Sequence, residues 1–343
     1  MKGGQPAFQI SIEGQEQPIT CDADDSLLGA LLRSGFGVPY ECSAGGCGSC
    51  KFTLLSGSVA EEREDAPGLS PRDRRKGTKL ACICRPQSDC AIRIRHDLDY
   101  TPKIKPLRRE VHLISRTPLT HDLWKFRFQS ELPADFLPGQ YAKFELPGVA
   151  GWRCYSMSNI ANDDGQWDFK IKRMPGGQAT SVLFDEFEIG APMVLDAPYS
   201  IAHLREGTRR HAVCIAGGSG LAPMVSILRG LGASPEGAAN AILYYGARGQ
   251  ADVVADDLFA GIPGFDPKHQ YRPVVSSPDS GEAGSWNGPV GMVHEFVASD
   301  LGEDWDDADF YIAGPPPMVD AVRRHLVLER KIQIGRLHYD RFF

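Results

Sequence analysis

Three domains of unlike architecture are predicted for the 343-residue chain: a small α+β unit wrapped around a cysteine-rich loop, an antiparallel barrel or sandwich, and a doubly wound α/β sheet. Three observations carry this. The segment "ECSAGGCGSCKF", Glu41 to Phe52, crowds Cys42, Cys47 and Cys50 among glycines and serines that favour neither helix nor strand. The middle third alternates apolar and polar residues in short runs, with turn residues roughly every 8–12 positions. The last third contains an internal echo, "VCIAGGSGLAPMVSIL" and "FYIAGPPPMVDAV", each reading as strand, Ile-Ala-Gly, a Gly/Pro turn, Pro-Met-Val and a helix.

The length accommodates two or three domains with their own cores. A hydrophobic fraction of 42% with 24% charged residues is that of a soluble globular protein, and the formal net charge of −7 argues against a nucleic-acid partner. The start, "MKGGQPAFQI", lacks an apolar stretch and a small-residue cleavage site, so no signal peptide is read there. The long uncharged run Ala212 to Leu228 is broken by "GGSG" and Pro223 into a strand-like and a helix-like half, which disfavours a membrane span. Nine cysteines, an odd number, in an expected cytoplasmic protein point to metal or redox chemistry rather than disulfides.

In the first hundred residues, "FQISIEG" and "QPITCDAD" read as two strands joined by a turn at Gly14. "DDSLLGALLRSGF" has a capping residue, apolar positions at helical spacing and a Gly35 stop. A strand follows the cysteine loop near Phe52 to Leu55, and Cys82 and Cys84 stand before a closing strand. The spacing Cys42-x4-Cys47-x2-Cys50 with a distant Cys82 is that of a plant-type [2Fe–2S] cluster. Four thiolates make such a cluster anionic. Backbone N–H groups offset that charge where side chains are absent and φ can be positive, which Gly45, Gly46 and Gly48 permit. A zinc site and a loop with incidental cysteines are the rival readings. Zinc sites usually pair two Cys-x2–4-Cys knuckles, and Cys82-x-Cys84 has the wrong gap. Cys84 is the alternative fourth ligand, and Cys21, Cys90, Cys154 and Cys214 read as core residues.

Residues 93 to 109, "RIRHDLDYTPKIKPLRR", mix prolines and basic residues without an apolar period, a solvated linker that places a boundary near 100 to 107. The strands beyond it are "EVHLISRTPL", "LWKFRFQS", "QYAKFELPG", "RCYSMSNI" and "WDFKIKRM". In "RCYSMSN" a cation, an aromatic ring and a hydroxyl alternate, so Arg153 and Tyr155 share a face. A flavin needs a cation for its pyrophosphate, a ring against the isoalloxazine and a small hydrogen-bonding group near N5. Taken alone, this is an ordinary half-buried strand. "KRMPGGQATSVLFDEF" then runs a strand through a Gly-rich turn into an amphipathic helix, whose first N–H groups, Gly177 to Thr180, could hold a phosphate.

In the last third, Pro223 and Pro317 suit the first turn of a helix, where no N–H bond is lost. "NAILYYGAR" and "YRPVVSS" supply further strands, and the ligand crevice of such a sheet lies beyond the carboxyl ends of its strands. Gly218-x-Gly220 lacks the third glycine of a dinucleotide fingerprint, Pro223 standing in its place, so the paired turns carry the signal together.

Taken in order, these parts resemble the ferredoxin–NADP reductase superfamily over essentially the whole chain. More narrowly, they are similar to the reductase components of bacterial multicomponent oxygenases. "YECSAGGCGSCK", "DAPGL" and "HYDRFF" look like the reductases of toluene- and phenol-type diiron monooxygenases. The resemblance implies a plant-type [2Fe–2S] ferredoxin domain of β-grasp fold at 1–100, a FAD-binding antiparallel β-barrel at 107–204 and a NAD(P)-binding doubly wound domain at 208–343. It implies Cys42, Cys47, Cys50 and Cys82 as iron ligands. Arg153, Tyr155 and Ser156 would bind FAD, with Gly177 and Thr180 near its pyrophosphate. Gly217, Gly218, Gly220, Pro223, Gly314, Pro315 and Met318 would line the NADH site. Ser156, Asp340 and Phe342 would stand at the reacting atoms, Asp340 near the nicotinamide and Phe342 covering the flavin ring as a gate that moves aside.

The activity so implied is that of a monomeric, cytoplasmic NADH-dependent reductase. It passes electrons from NADH to FAD, to the cluster, and on to a Rieske-type ferredoxin or a diiron hydroxylase in aromatic or alkene oxidation. The reductase of a Rieske ring-hydroxylating dioxygenase is the alternative within the same fold, and a redox sensor without turnover is the alternative outside it. NADH is favoured over NADPH because no basic cluster follows the first glycine turn, Arg248 being a lone arginine there. Two departures stand out. Ala313 replaces the cysteine common before G-P-P, and the turn "DAPYS" has Ala197 and Ser200 where glycines are usual.

Overall fold

The computed structural model describes residues 6–205, 211–278, 286–302, 305 and 307–343. The expected boundary at 208 and the first five residues lie outside that set. Three sheets organise the chain, and each has its own buried apolar cluster.

The first sheet contains β1 (Ala7–Ile12), β2 (Ile19–Asp22), β3 (Lys51–Ser56), β5 (Thr78–Leu80) and β7 (Cys90–Ile94), in the order β2-β1-β7-β3-β5. Strands β4 (Val59–Glu61) and β6 (Cys84–Pro86) form a separate ribbon. Helix α1 (Leu27–Ser34) starts at the Ser26 cap, whose side chain accepts from the Gly29 amide, and stops at Gly35 with φ +87°. Its apolar residues Leu27, Leu28, Leu31 and Leu32 are buried in the core under the sheet. A short α2 (Pro71–Arg75) carries a capping box between Ser70 and Asp73.

The second sheet contains β8 (Leu107–Pro118), β9 (Leu123–Gln129), β10 (Tyr141–Glu145), β11 (Arg153–Ser156), β12 (Gln166–Lys172) and β13 (Pro192–Tyr199). Its order, β11-β10-β13-β8-β9-β12, is closed by a bridge from Met157 to Phe169, which makes it a near-barrel. Alternation sends Phe126 and Phe128 of β9 and Trp167, Phe169 and Ile171 of β12 into its core.

In the third sheet, β14 (Ala212–Gly217), β15 (Ala241–Ala247), β16 (Tyr271–Val275), β17 (Asp309–Gly314) and β18 (Leu337–Arg341) run parallel in the order β16-β15-β14-β17-β18. Strands β14 and β17 are buried along their whole length, as central parallel strands covered on both faces must be. Helices α4 (Leu221–Gly232), α5 (Pro267–Gln270), α6 (Val293–Asp300) and α7 (Pro316–Arg324) connect them. Among the described residues no helix is long and apolar enough to cross a membrane.

The structure departs from the sequence expectations in three places. Strands β7 and β8 enter the expected linker from both ends. The remainder docks on α1's exit, with His96 stacked on Phe36 at 4.3 Å and the Asp97 amide bonded to the Gly37 carbonyl at 3.0 Å. "DAPYS" is no turn: it ends β13, a central strand the alternation pattern missed because both its faces are covered, and the chain leaves it only at Ser200. The amphipathic helix after Gly177 is one α-turn, α3 (Gln178–Ser181), that widens into a π-turn over Val182–Glu186 as Leu183 and Phe184 enter the barrel core.

Candidate functional site

The cysteine loop follows α1 and curls back on itself, with Gly45 and Gly48 at φ +77° and +74°. Cys42 Sγ accepts from the amides of Ala44 (3.4 Å), Gly46 (3.3 Å) and Cys47 (3.3 Å), and Cys47 Sγ from that of Ser49 (3.5 Å). The thiols of Cys42 and Cys47 touch, and so do those of Cys50 and Cys82. Contact with one another raises the first Cys42 proton affinity and lowers that of Cys47. Two thiol pairs in an amide cradle fit two iron ions with two sulfurs each from the chain. Cys84 is buried on β6, and burial pushes its thiol up to about 12. The "DAPGL" segment supports the loop from outside, the Gly68 amide bonding the Gly45 carbonyl at 2.9 Å. A side chain at Gly48 would overlap the Gly68 carbonyl.

Strand β11 lies beside this loop. The Cys154 thiol donates to the Cys42 carbonyl at 3.4 Å, so this half-buried cysteine joins two domains rather than filling one core. Tyr141 of β10 makes a second link, its hydroxyl bonding the Glu41 carbonyl (2.8 Å) and lying 2.6 Å from Ser43 Oγ. A cavity of about 60 Å³ opens here among Cys42, Tyr141, Cys154, Ser156, Asp340 and Phe342. Ser156 Oγ is buried and has no hydrogen-bond partner among the described residues, an orphan of the kind a bound flavin would satisfy. Tyr155 packs on Phe144 at 4.9 Å. Arg153 lines a broad cleft of about 740 Å³ with Glu62, Arg63, Arg85 and Lys143. Arg85 is paired with Glu62 and Lys143 with Asp196, while Arg153 donates to the Ala150 and Trp152 carbonyls and offers a cation to a phosphate-bearing ligand. Gly177 and Thr180 line neither cavity. Thr180 Oγ1 accepts from the Met174 amide (3.2 Å) and donates to the Gly177 carbonyl (3.1 Å), closing its own loop.

Asp340, on β18, accepts from the Ser200 hydroxyl at 2.8 Å. Ser200 sits at φ +94°, the left-handed region a glycine would occupy without strain, and its amide donates to the Tyr40 hydroxyl at 2.9 Å. The departure from glycine thus supplies a bond to Asp340 that glycine cannot make. Burial pushes the Asp340 carboxyl up to about 7, against the Ser200 bond and with Glu41 adding to the rise.

The two glycine turns end the adjacent strands β14 and β17, where the order of the parallel sheet reverses. A groove of about 450 Å³ lies there, lined by Gly217, Gly218, Pro315, Met318 and, from the barrel side, Lys172. Gly220 and Gly314 pack the two turns together. A Cβ at Gly220 would overlap the Ala313 carbonyl, and one at Gly314 would lie 3.0 Å from the Gly217 carbonyl. Pro223 is buried behind them in α4. Phe342 borders both this groove and the small cavity beside Ser156, so it stands as a partition between them. Sequence reasoning missed Lys172 and Asp252, which meet across the groove at 2.8 Å. His121, Asp122 and Asp252 bring ligand atoms within 4.8 Å of one another, but the Lys172 ammonium already bonds both carboxylates and offsets part of their charge.

Three family descriptions match in order: a 2Fe-2S iron-sulfur cluster binding domain at residues 10–87, an oxidoreductase FAD-binding domain at 110–203 and an oxidoreductase NAD-binding domain at 214–324. The chain is 40% identical over 340 residues to the ferredoxin–NAD(P)(+) reductase CarAd of Metapseudomonas resinovorans, covering 98% of this chain and 100% of that one. It is 37% identical to the ferredoxin–NAD(+) reductase component of an alkene monooxygenase system of Xanthobacter autotrophicus, covering 94% and 97%. The solved ferredoxin reductase in carbazole 1,9a-dioxygenase superposes with a TM-score of 0.88 at 38% identity, over 98% of this chain and 99% of that chain.

Proposed function

The chain belongs to the family of ferredoxin–NAD(P) reductases that serve oxygenase systems, and from that premise we infer that it carries electrons from NADH to a Rieske-type ferredoxin or a diiron hydroxylase. The observation that carries this reading is adjacency. The thiol pairs, the Ser156 cavity and the glycine groove follow one another, joined by Cys154 on one side and Phe342 on the other.

Bound in this series, FAD would supply two-electron acceptance from NADH and a [2Fe–2S] cluster one-electron transfer onward. Cys42, Cys47, Cys50 and Cys82 would hold the iron, and the amides of Ala44, Gly46 and Cys47 lower the charge on the sulfurs. Arg153 would be the cation for the flavin phosphates, Tyr155 would offer an aromatic face and Ser156 a hydroxyl to its ring, with Gly177 and Thr180 shaping the neighbouring loop. Gly217, Gly218, Pro315 and Met318 give the dinucleotide a backbone surface it can approach closely, and Gly220, Pro223 and Gly314 hold that surface in place. Asp340, kept near neutrality by burial, avoids placing a full negative charge beside electron-rich rings.

The domains of this reading are 1–100, 107–204 and 208–343, in a monomer of the cytoplasm, where thiolate ligands stay reduced. The reductase of a Rieske ring-hydroxylating dioxygenase is a second reading, favoured by the superposition on the carbazole 1,9a-dioxygenase reductase. Purified protein should contain iron, sulfide and FAD at two, two and one per chain. Cys82→Ala should abolish the cluster and cytochrome c reduction while NADH-driven ferricyanide reduction persists, and Cys84→Ala should keep all three. Zinc in place of iron, or loss of the cluster in Cys84→Ala alone, would refute the assignment. Reconstitution with a Rieske ferredoxin and with a diiron hydroxylase separates the two acceptors.

A further inference from the structure

The residues around Phe342 are held at both ends. Arg341 donates through Nε to Glu41 Oε2 (3.0 Å) and through Nη2 to Oε1 (2.9 Å), a bidentate pair in which both side chains are largely buried. Glu41 immediately precedes Cys42. The same guanidinium reaches Asp320 Oδ1 of α7, the helix that follows the second glycine turn, at 3.4 Å. On the other side, the Phe343 ring rests on Gly46 so closely that any Cβ at Gly46 would overlap it. Gly46 is also an amide donor to Cys42 Sγ. The amide of Phe342 itself is bonded to the Gly314 carbonyl at 3.0 Å. Phe342 therefore divides the Ser156 cavity from the nicotinamide groove while its neighbours grip the cysteine loop.

This geometry conflicts with a gate that swings freely. A nicotinamide that displaces Phe342 must either rotate that one side chain in place or shift a backbone anchored to Glu41 and Gly46. The Phe342 amide is bonded to the Gly314 carbonyl and the Phe343 ring sits on Gly46, so displacing the ring from between the cavity and the groove pulls on both anchors.

We propose that Glu41 and Arg341 form a latch that couples nicotinamide binding to the cluster loop, so that dinucleotide entry strains the Glu41–Arg341 pair and alters the surroundings of Cys42. Coupling of this kind is reciprocal: whatever the dinucleotide does to the loop, the loop does to dinucleotide affinity. Glu41 and Arg341 are positioning residues, since they act through Phe342 and the loop. The proposal rests on the reductase reading above.

The test uses the full-length protein with both cofactors, reduced completely with dithionite so that added NADH binds without reacting. The electron paramagnetic resonance spectrum of the reduced cluster is recorded with and without saturating NADH, and NADH affinity is measured by anaerobic calorimetry. In the parent protein NADH should shift the cluster g-values. Glu41→Ala and Arg341→Lys should keep cluster and flavin, lose the NADH-induced shift, and bind NADH about fivefold more tightly. Asp320→Ala, which leaves the Glu41 contact in place, should retain the shift. Arg341→Lys lies outside the cysteine domain, so it decides the matter if Glu41→Ala fails to assemble its cluster. A parent protein whose spectrum ignores bound NADH, or variants whose shift and affinity match the parent, would overturn the latch and leave the reductase intact. A parent protein without flavin or without NADH-driven reduction would instead refute the reductase reading beneath it.

Discussion

The barrel meets the cysteine domain and the nicotinamide domain through two interfaces of opposite electrostatic character. Toward the cysteine domain, every buried charge has a partner of opposite sign. Asp196 of β13 accepts from Arg33 of α1 (2.8 Å), Lys143 of β10 (3.1 Å) and the Tyr199 hydroxyl (2.7 Å), while Arg33 and Arg108 share Asp25. Aromatic rings close around this network: Tyr141 stacks on Tyr199 at 5.8 Å, and the Lys143 ammonium lies 4.3 Å over the Tyr199 ring. Tyr141 and Tyr199 even belong to the apolar cluster of the cysteine domain. Toward the nicotinamide domain, α4 covers an outer face of the barrel where Lys125, Arg127, Lys170 and Arg229 gather near one carboxylate, Asp168. Lys170 Nζ is buried without a hydrogen-bond partner among the described residues, and burial with the neighbouring Arg229 pushes its pKa far down. The side that must hold a short electron path is locked, and the side that must admit and release a dinucleotide carries built-in repulsion.

Removing the keystone of the locked side should have the largest effect. Asp196→Ala leaves the buried Lys143 without its counter-ion and Arg33 with Asp25 alone, and should destabilise the protein by about 3–5 kcal/mol in chemical denaturation, with the cysteine domain released first. An effect near zero would show that the network is decorative. The same carboxylate gives a pH signature of about 2–3 kcal/mol. Burial alone would raise its pKa, but Lys143, Arg33 and the Tyr199 hydroxyl hold it at about 2. A depressed acid contributes stability that is present above the unfolded value near pH 4 and lost as pH falls through 2. Acid unfolding should therefore begin below about pH 4 in the parent protein, and Asp196→Asn should flatten that limb of the profile.

On the loose side the sign reverses. Lys170→Met removes a buried, unpartnered amine and should stabilise the protein by about 1–2 kcal/mol while slowing NAD+ release, measured by stopped-flow. A destabilised variant would mean that an anion or ordered water occupies the site. The smallest effect is expected at the partition. Phe342→Ser should tighten NADH and NADPH binding by about 0.5–1.5 kcal/mol, NADPH the more, and shift the flavin absorbance. An unaltered flavin spectrum and affinity would remove Phe342 from the ring.

Local chemistry made much of this legible in advance. The cysteine spacing, the glycines that aim amides at sulfur, the Ser26 and Gly35 helix signals and the twin Ile-Ala-Gly turns all lie within a few residues of the groups they serve, so one stretch of chain carries the whole instruction. What failed was also local in cause. β13 was missed because a strand covered on both faces loses its alternation, and the helix after Gly177 was over-read because its apolar residues answer to the barrel core rather than to helical period. Pairings across the chain left no trace in sequence at all. Glu41 and Arg341, Arg33 and Asp196, Cys154 and the Cys42 carbonyl are each separated by more than a hundred residues, and no periodicity or spacing rule links them. Residue type and spacing determined which cofactors the chain can hold, because ligand sets are short-range. How the three sites face one another was decided only when the domains packed, because burial turns distant charges and thiols into neighbours.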